Sequence, residues 1–315
     1  MKKIALLTSA FLGSLVLTAQ TKITFQPQWT AQSQFAGFYV ALEKGFYADE
    51  GLDVTITHRG VNSTTSVTDQ LFNGNADIVG MQLIQAMVSR SDNVPILNVM
   101  QLTQKSGLWA VSHNPISKPE DLDGLKVGRW RVGFADFCDM LEFSTGIHID
   151  WIPFINGINL YVFGAVDATL CYSYSEFVGL ELSLGEIEPD HILKFSDFGY
   201  LCPEDGLYVT EEYYRKNKDA VDKFVRASKK GWDYARENIG EALEISKKFI
   251  EKEQIVTNDF LQKRMLEEYL NLQVNSETGV PDYAPVRKDI FKDINDALVN
   301  TGYITRDIDY NELIR

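Results

Sequence analysis

Apolar residues recur along this chain at two spacings. In residues 52–57, Leu52, Val54 and Ile56 alternate with polar or charged neighbours, the period of a half-buried strand. Phe35, Phe38, Tyr39 and Leu42 instead fall on one stripe of a helix over 34–44, with Ser33 placed to cap it and Gly45 to stop it. The same reading predicts strands at 22–26, 77–80 and 95–102 and a helix at 83–90. Another helix, capped by Asn62 or Ser63, carries Val67, Leu71 and Phe72 on one face and ends at Gly74. A second unit follows, with strands at 126–128, 149–154 and 167–171 and helices at 134–144, 158–163 and 173–184. A strand at 206–210 leads into helices at 211–238, 239–252, 258–272 and 286–301. Alternating strands and helices imply a mainly parallel sheet covered by helices. The expected fold class is therefore α/β, with two lobes and a helical C-terminal region. Residues 109–114 and 203–207 are the natural crossovers, placing 20–111 and 206–315 in one lobe and 112–205 in the other.

The 315 residues are 45% hydrophobic and 23% charged, the composition of a folded chain. At roughly 100–200 residues per domain, two domains fit the length. The net charge of −14 argues against nucleic acid or an anionic membrane as a partner held by bulk electrostatics. Inside the body of the chain, no apolar run reaches the roughly 18 residues of a membrane-spanning helix. Met1-Lys2-Lys3, the apolar run 4–17 and Ala19 have the pattern of a secretory signal peptide over 1–19. No cysteine near Ala19 could carry a lipid, so a periplasmic, unanchored protein is expected. Cys138, Cys171 and Cys202 allow at most one disulfide and read more simply as small buried hydrophobes. His58, His113, His148 and His191 are scattered singly, which gives no zinc-site spacing.

The chain has no G-x-S-x-G elbow, no phosphate-binding glycine loop and no paired nucleophile and base. No catalytic residue and no cofactor are expected. Aromatic residues instead stand where turns open: Trp29 after the first strand, Trp109 at a crossover, Trp130 after 126–128, and Tyr172 and Tyr174 after 167–171. Ligands of α/β sheets sit beyond the carboxyl ends of the strands. Flat rings there suit a flat heteroaromatic ligand, although ordinary core packing is the alternative for any one of them.

An ordered series of segments resembles one known family. It begins with Gln28-Trp29, the run from Gln34 to Ala41, Lys44-Gly45-Phe46-Tyr47 and Glu50-Gly51-Leu52-Asp53-Val54. It continues with Gly74-Asn75-Ala76-Asp77, the run from Leu122 to Gly128, and Val166-Asp167-Ala168. Tyr174-Ser175-Glu176-Phe177, Glu204-Asp205-Gly206-Leu207 and the run from Lys230 to Ala235 complete it. The series is similar to the thiamine-pyrimidine family, which contains periplasmic pyrimidine-binding proteins and the fungal hydroxymethylpyrimidine phosphate synthases. The resemblance implies a two-lobed periplasmic binding protein fold of the second type, with the ligand held between lobes that close by a hinge. It also implies two partners, an ABC permease and its ATPase, for a monomeric binding protein.

The synthase branch carries a cofactor-binding lysine and a sacrificial histidine. The matching positions here are Met81 and Gln85, and one cysteine, Cys202, stands where that branch has a cysteine-rich motif. Without a lysine amine, no Schiff base to pyridoxal phosphate can form. The family's Trp-Gly-Gly is here Trp130-Arg131-Val132-Gly133, which leaves the ligand open. The expected function is an importer's solute-binding protein for a thiamine pyrimidine precursor or similar flat heterocycle. A synthase, or a binding protein for a flavin or a small sulfonate, is the alternative. The ligand-binding residues expected are Gln28, Trp29, Phe35, Gln82, Trp109, Trp130, Tyr174 and Glu176. For Glu176, the competing reading is a solvated carboxylate at a helix start.

Overall fold

The computed structural model describes residues 20–60, 63, 65–155 and 157–315, so the expected signal peptide at 1–19 and Asn62 lie outside the described residues. The strands are β1 (Thr21–Gln26), β2 (Leu52–Ile56), β3 (Ile78–Met81), β4 (Ile96–Gln101), β5 (Leu108–Ser112), β6 (Lys126–Trp130), β7 (Asp150–Phe154), β8 (Ala168–Tyr172), β9 (Ile192–Lys194) and β10 (Gly206–Thr210). Helices α1 (Ala36–Glu43), α2 (Phe46–Asp49), α3 (Val67–Phe72) and α4 (Leu83–Ser91) cover the first sheet's strands. Helices α5 (Ala135–Thr145), α6 (Asn159–Val162) and α7 (Glu176–Leu184) belong to the second unit. The C-terminal region is α8 (Glu211–Glu237), α9 (Ile239–Lys252), α10 (Asp259–Leu272), α11 (Lys288–Asn300) and α12 (Tyr310–Leu313). Among the described residues, no helix is long and apolar enough to cross a membrane.

The strands form two five-stranded sheets, ordered β2-β1-β3-β10-β4 and β7-β6-β8-β5-β9. Neither is wholly parallel. β10 runs antiparallel between β3 and β4, and β5 runs antiparallel beside β8 and β9. Each crossover thus delivers one strand into the other lobe against that sheet's direction. This corrects the expected boundary. Residues 109–114 are not a crossover, because Leu108 to Ser112 pair with Tyr172 to Ala168 along the whole of β8. The outgoing crossover is residues 102–107, and Trp109 belongs to the second lobe.

The two crossovers are bound to each other. Glu204, on the returning one, accepts the Gly107 amide hydrogen at 2.9 Å, and its carbonyl accepts from the Gln101 amide at 2.9 Å. Thr103 Oγ1 accepts from the Glu204 amide at 3.1 Å.

Local chemistry explains the ends of the first helices. Ser33 does not cap α1. It sits in a short 3-10 turn, and its hydroxyl donates to the Gln262 carbonyl at 2.5 Å, fastening the turn to α10. α3 is capped by Ser66, whose hydroxyl accepts from Asp69 N–H at 3.0 Å while the Asp69 carboxylate accepts from Ser66 N–H at 3.2 Å. Phe72 is exposed rather than sharing the buried face of Val67 and Leu71. Helix α8 packs directly on α1 through two glycines. A Cβ on Gly37 would lie 2.1 Å from the Trp232 ring, and one on Gly231 would lie 2.1 Å from the Gly37 carbonyl oxygen. The three cysteines are free and buried.

Candidate functional site

A cavity of about 410 Å³ lies between the lobes, at the carboxyl ends of β1, β3, β6 and β8. The first lobe contributes Gln28 and Trp29 from the turn after β1, Gln34 from the 3-10 turn, and Gln82 and Gln85 at the start of α4. Arg59 and the N-terminal turn of α3 close its rim. The second lobe contributes Trp130 at the end of β6, Phe134 and Asp136 at α5, and Tyr172, Tyr174, Ser175 and Glu176 between β8 and α7.

Six of the eight expected residues, Gln28, Trp29, Gln82, Trp130, Tyr174 and Glu176, therefore share one cavity. Trp109 does not. Strand β5 turns its ring away, edge-on to Phe177 at 4.8 Å and beneath the Lys194 ammonium at 5.0 Å. Phe35 is also absent from the wall, because its 3-10 turn buries the ring in the first lobe's core, 5.8 Å from the His58 ring. Gln34 and Arg59 are not among the expected residues, and Gln85 enters there only as the position matching the synthase histidine. Polar residues in a turn or on a helix carry no periodic signal that distinguishes a cavity wall from a solvated face.

Aromatic rings make the second lobe's wall. Trp130 stacks on Phe134 at 4.3 Å and leans on Tyr172 at 5.2 Å, and Tyr172 stacks on Tyr174 at 5.0 Å. Glu176 lies at the start of α7 and also faces the cavity. Its Oε1 accepts from the Trp130 indole N–H and its Oε2 from the Tyr172 amide, both at 3.2 Å. Burial raises its pKa, opposed by hydrogen bonds from its own amide, the Tyr172 amide, Trp130 and Ser175. Of these donors only the Trp130 indole and the Tyr172 amide are at full hydrogen-bond geometry, and a carboxylate has about four acceptor sites, so acceptor capacity remains for a ligand.

Three first-lobe glutamines span the cleft. Gln82 Nε2 donates to the Tyr172 hydroxyl. Gln34 Nε2 donates to the Tyr174 hydroxyl at 3.2 Å, and Gln85 Nε2 donates to the Gly133 carbonyl at 2.7 Å. On the first-lobe rim, the Arg59 guanidinium lies 5.4 Å over the Trp29 ring. His58 fixes the Trp29 backbone from behind. Burial lowers its pKa to about 4, so the ring is neutral at pH 7. Nδ1–H donates to the Trp29 carbonyl at 2.9 Å, and Nε2 accepts from the Tyr39 hydroxyl at 2.9 Å.

A model of the family described as NMT1/THI5 like matches residues 32–242. The chain is 26% identical over 266 residues to the riboflavin-binding protein RibY of Chloroflexus aurantiacus, covering 82% of this chain and 74% of that one. It is 24% identical over 228 residues to a 4-amino-5-hydroxymethyl-2-methylpyrimidine phosphate synthase of Aspergillus parasiticus, covering 68% and 66%. It is 26% identical over 231 residues to a formylaminopyrimidine-binding protein of Halalkalibacterium halodurans, covering 69% and 67%. The matches span about two thirds to three quarters of these relatives' lengths. Among solved structures, the periplasmic aliphatic sulphonate binding protein SsuA of Escherichia coli superposes with a TM-score of 0.66 at 12% identity, covering 93% of this chain and 96% of that one. The two-lobed α/β architecture is thus the periplasmic binding protein fold.

Proposed function

The chain belongs to the NMT1/THI5-like family, and from that premise we propose that it is an extracytoplasmic solute-binding protein of an ABC importer. Its proposed ligand is an amino-substituted flat heterocycle of the thiamine-pyrimidine kind. The single observation that carries this reading is the chemistry of the cleft. A wall of stacked rings faces a cavity in which Glu176 offers a half-buried acceptor. An aminopyrimidine has a flat apolar face for the rings and N–H donors for the carboxylate, a charge-assisted and directional match. Among the described residues of the cavity, a sulfonate would meet carboxylates at Glu176, Asp136 and Asp69, with the Arg59 guanidinium against them. The relatives' names support a nitrogen heterocycle, formylaminopyrimidine in one and riboflavin in another.

Synthase chemistry does not fit this cleft. Pyridoxal phosphate needs a lysine amine, and no lysine or histidine lines the cavity among the described residues. Met81 is a buried thioether in β3, and the Gln85 amide is occupied by Gly133. The pattern of residues 1–19 supports an extracytoplasmic location, and hinge closure around the ligand would present the closed form to the permease.

The test is a melt of the purified protein with 4-amino-5-hydroxymethyl-2-methylpyrimidine, riboflavin and ethanesulfonate, with mass spectrometry of whatever copurifies. A true ligand at about 100 times its Kd adds roughly 2.7 kcal/mol of stability. One of the two heterocycles should raise the melting point. Stabilisation by ethanesulfonate alone would contradict the reading.

A further inference from the structure

Asp205 lies outside the cavity, on the returning crossover, and is almost completely buried. Three side-chain donors converge on it. The Tyr269 hydroxyl and Gln34 Nε2 both donate to Oδ2 at 2.6 Å, and the Gln28 amide is a looser third partner. A carboxylate can only accept, so both amides must turn their nitrogens toward it. Gln34 then has no freedom left. Its nitrogen also reaches the Tyr174 hydroxyl, and its oxygen accepts from Gln32. Gln28, which lines the cavity, keeps its Oε1 as the atom free to meet a ligand.

We propose that Asp205 is a positioning residue for ligand recognition, fixing from the hinge the amide orientations of Gln28 and Gln34 so that the first lobe meets the ligand with an acceptor. This rests on the proposed function and sharpens it. With Gln28 Oε1 on one lobe and Glu176 on the other, the cleft selects a heterocycle carrying N–H or O–H donors on two edges. A ligand with a donor on one edge alone leaves a buried acceptor unpaired, which is costly.

The backbone makes one substitution informative. Asp205 has φ +57, a left-handed conformation that asparagine tolerates and most residues do not. Asp205→Asn therefore keeps the hinge geometry. It also removes the negative charge and one of the two acceptor oxygens, so the hold on the converging donors weakens and the glutamine amides are freer to turn over. Protonation has a similar effect. Burial raises Asp205 to about 6 against the three donors. The groups around it are Tyr269 from α10, Tyr172 and Tyr174 from the second lobe, and Glu204 on its own segment.

The experiment has two arms on the full chain. In the first, calorimetry gives Kd for 4-amino-5-hydroxymethyl-2-methylpyrimidine and for riboflavin from pH 5 to 8, in wild type and Asp205→Asn. Taking the ratio of the two Kd values removes the titration of the ligand and of Glu176, which both proteins share. The ratio should be roughly tenfold above pH 6 and shrink toward one below it. A ratio of one throughout overturns the proposal. In the second arm, no ligand is used. The side-chain amide protons of Gln28 and Gln34, observed in glutamine-labelled protein by NMR, should exchange slowly in wild type, and at least one pair should exchange faster in Asp205→Asn. Unchanged exchange for both overturns the positioning role. If wild type binds neither heterocycle, the proposed function falls, and the second arm alone decides whether Asp205 orients the glutamines.

Discussion

Glu204 Oε1 accepts the Gly107 amide hydrogen at 2.9 Å, so a fully buried carboxylate on the returning crossover holds the outgoing one. Burial raises its pKa well above the ordinary 4.5, and the adjacent Asp205 charge adds to this. The folded protein thus retains a proton that the unfolded chain has lost. That contribution is fully present below the ordinary carboxylate pKa and drains away as pH rises toward the raised value. Glu204→Gln keeps the length and an acceptor for Gly107 without the titration. Its stability relative to wild type should therefore grow from pH 5 to 8. Urea midpoints of both proteins across that range measure this, and a pH-independent difference would contradict it.

Much of the architecture was legible from apolar periodicity. The α9 bounds agree at both ends, and the strand–helix rhythm located β1 to β4 and β6 to β8. β5 was missed as a strand because rhythm signals parallel strands joined by helices. β5 and β9 have no α-helix adjoining them to announce them, whereas β10, also antiparallel and entering from the other lobe, is legible at 206–210 because α8 follows it directly. The same cause explains Trp109: a place at a crossover suggests a ligand-facing ring, but β5 turns it toward Phe177. At the cleft, Trp130, Tyr174 and Glu176 were legible because they follow strands. Gln34 and Asp205 were not, because their roles arise from partners 140 and 64 residues away along the chain.

The α1–α8 contact makes Gly37 sensitive. With a Cβ only 2.1 Å from the Trp232 ring, Gly37→Ala cannot be absorbed by a small rotation. Overpacking of this kind typically costs about 1–3 kcal/mol. Chemical denaturation should show a loss in the upper part of that range or a failure to fold, and a wild-type midpoint would refute the close packing.

Gln85 and Gly133 form a latch across the cleft mouth. Gly133 has φ +88, and a Cβ there would come within 2.5 Å of Gln85 Nε2. Both Gly133→Ala and Gln85→Ala should weaken the closed state and act mainly through faster ligand release, because variants of one interface differ chiefly in dissociation rate. Stopped-flow fluorescence with the bound heterocycle should give a dissociation rate raised by roughly three- to tenfold, the effect of one hydrogen bond of about 1 kcal/mol. An unchanged rate in both variants would remove the latch from the account.

The most direct test concerns Glu176 itself. Glu176→Gln preserves its size while replacing one acceptor oxygen with a donor. Titration calorimetry of wild type and variant with 4-amino-5-hydroxymethyl-2-methylpyrimidine should show saturable binding by wild type. The variant should bind weaker by roughly tenfold or more, the loss of a charged hydrogen bond worth about 1.5–3 kcal/mol. The ligand-free melting point of the variant should fall modestly, because the new NH2 faces either the Trp130 or the Tyr172 N–H, while the fold survives. Wild-type affinity in Glu176→Gln would contradict the account and leave Glu176 as a carboxylate serving only the start of α7.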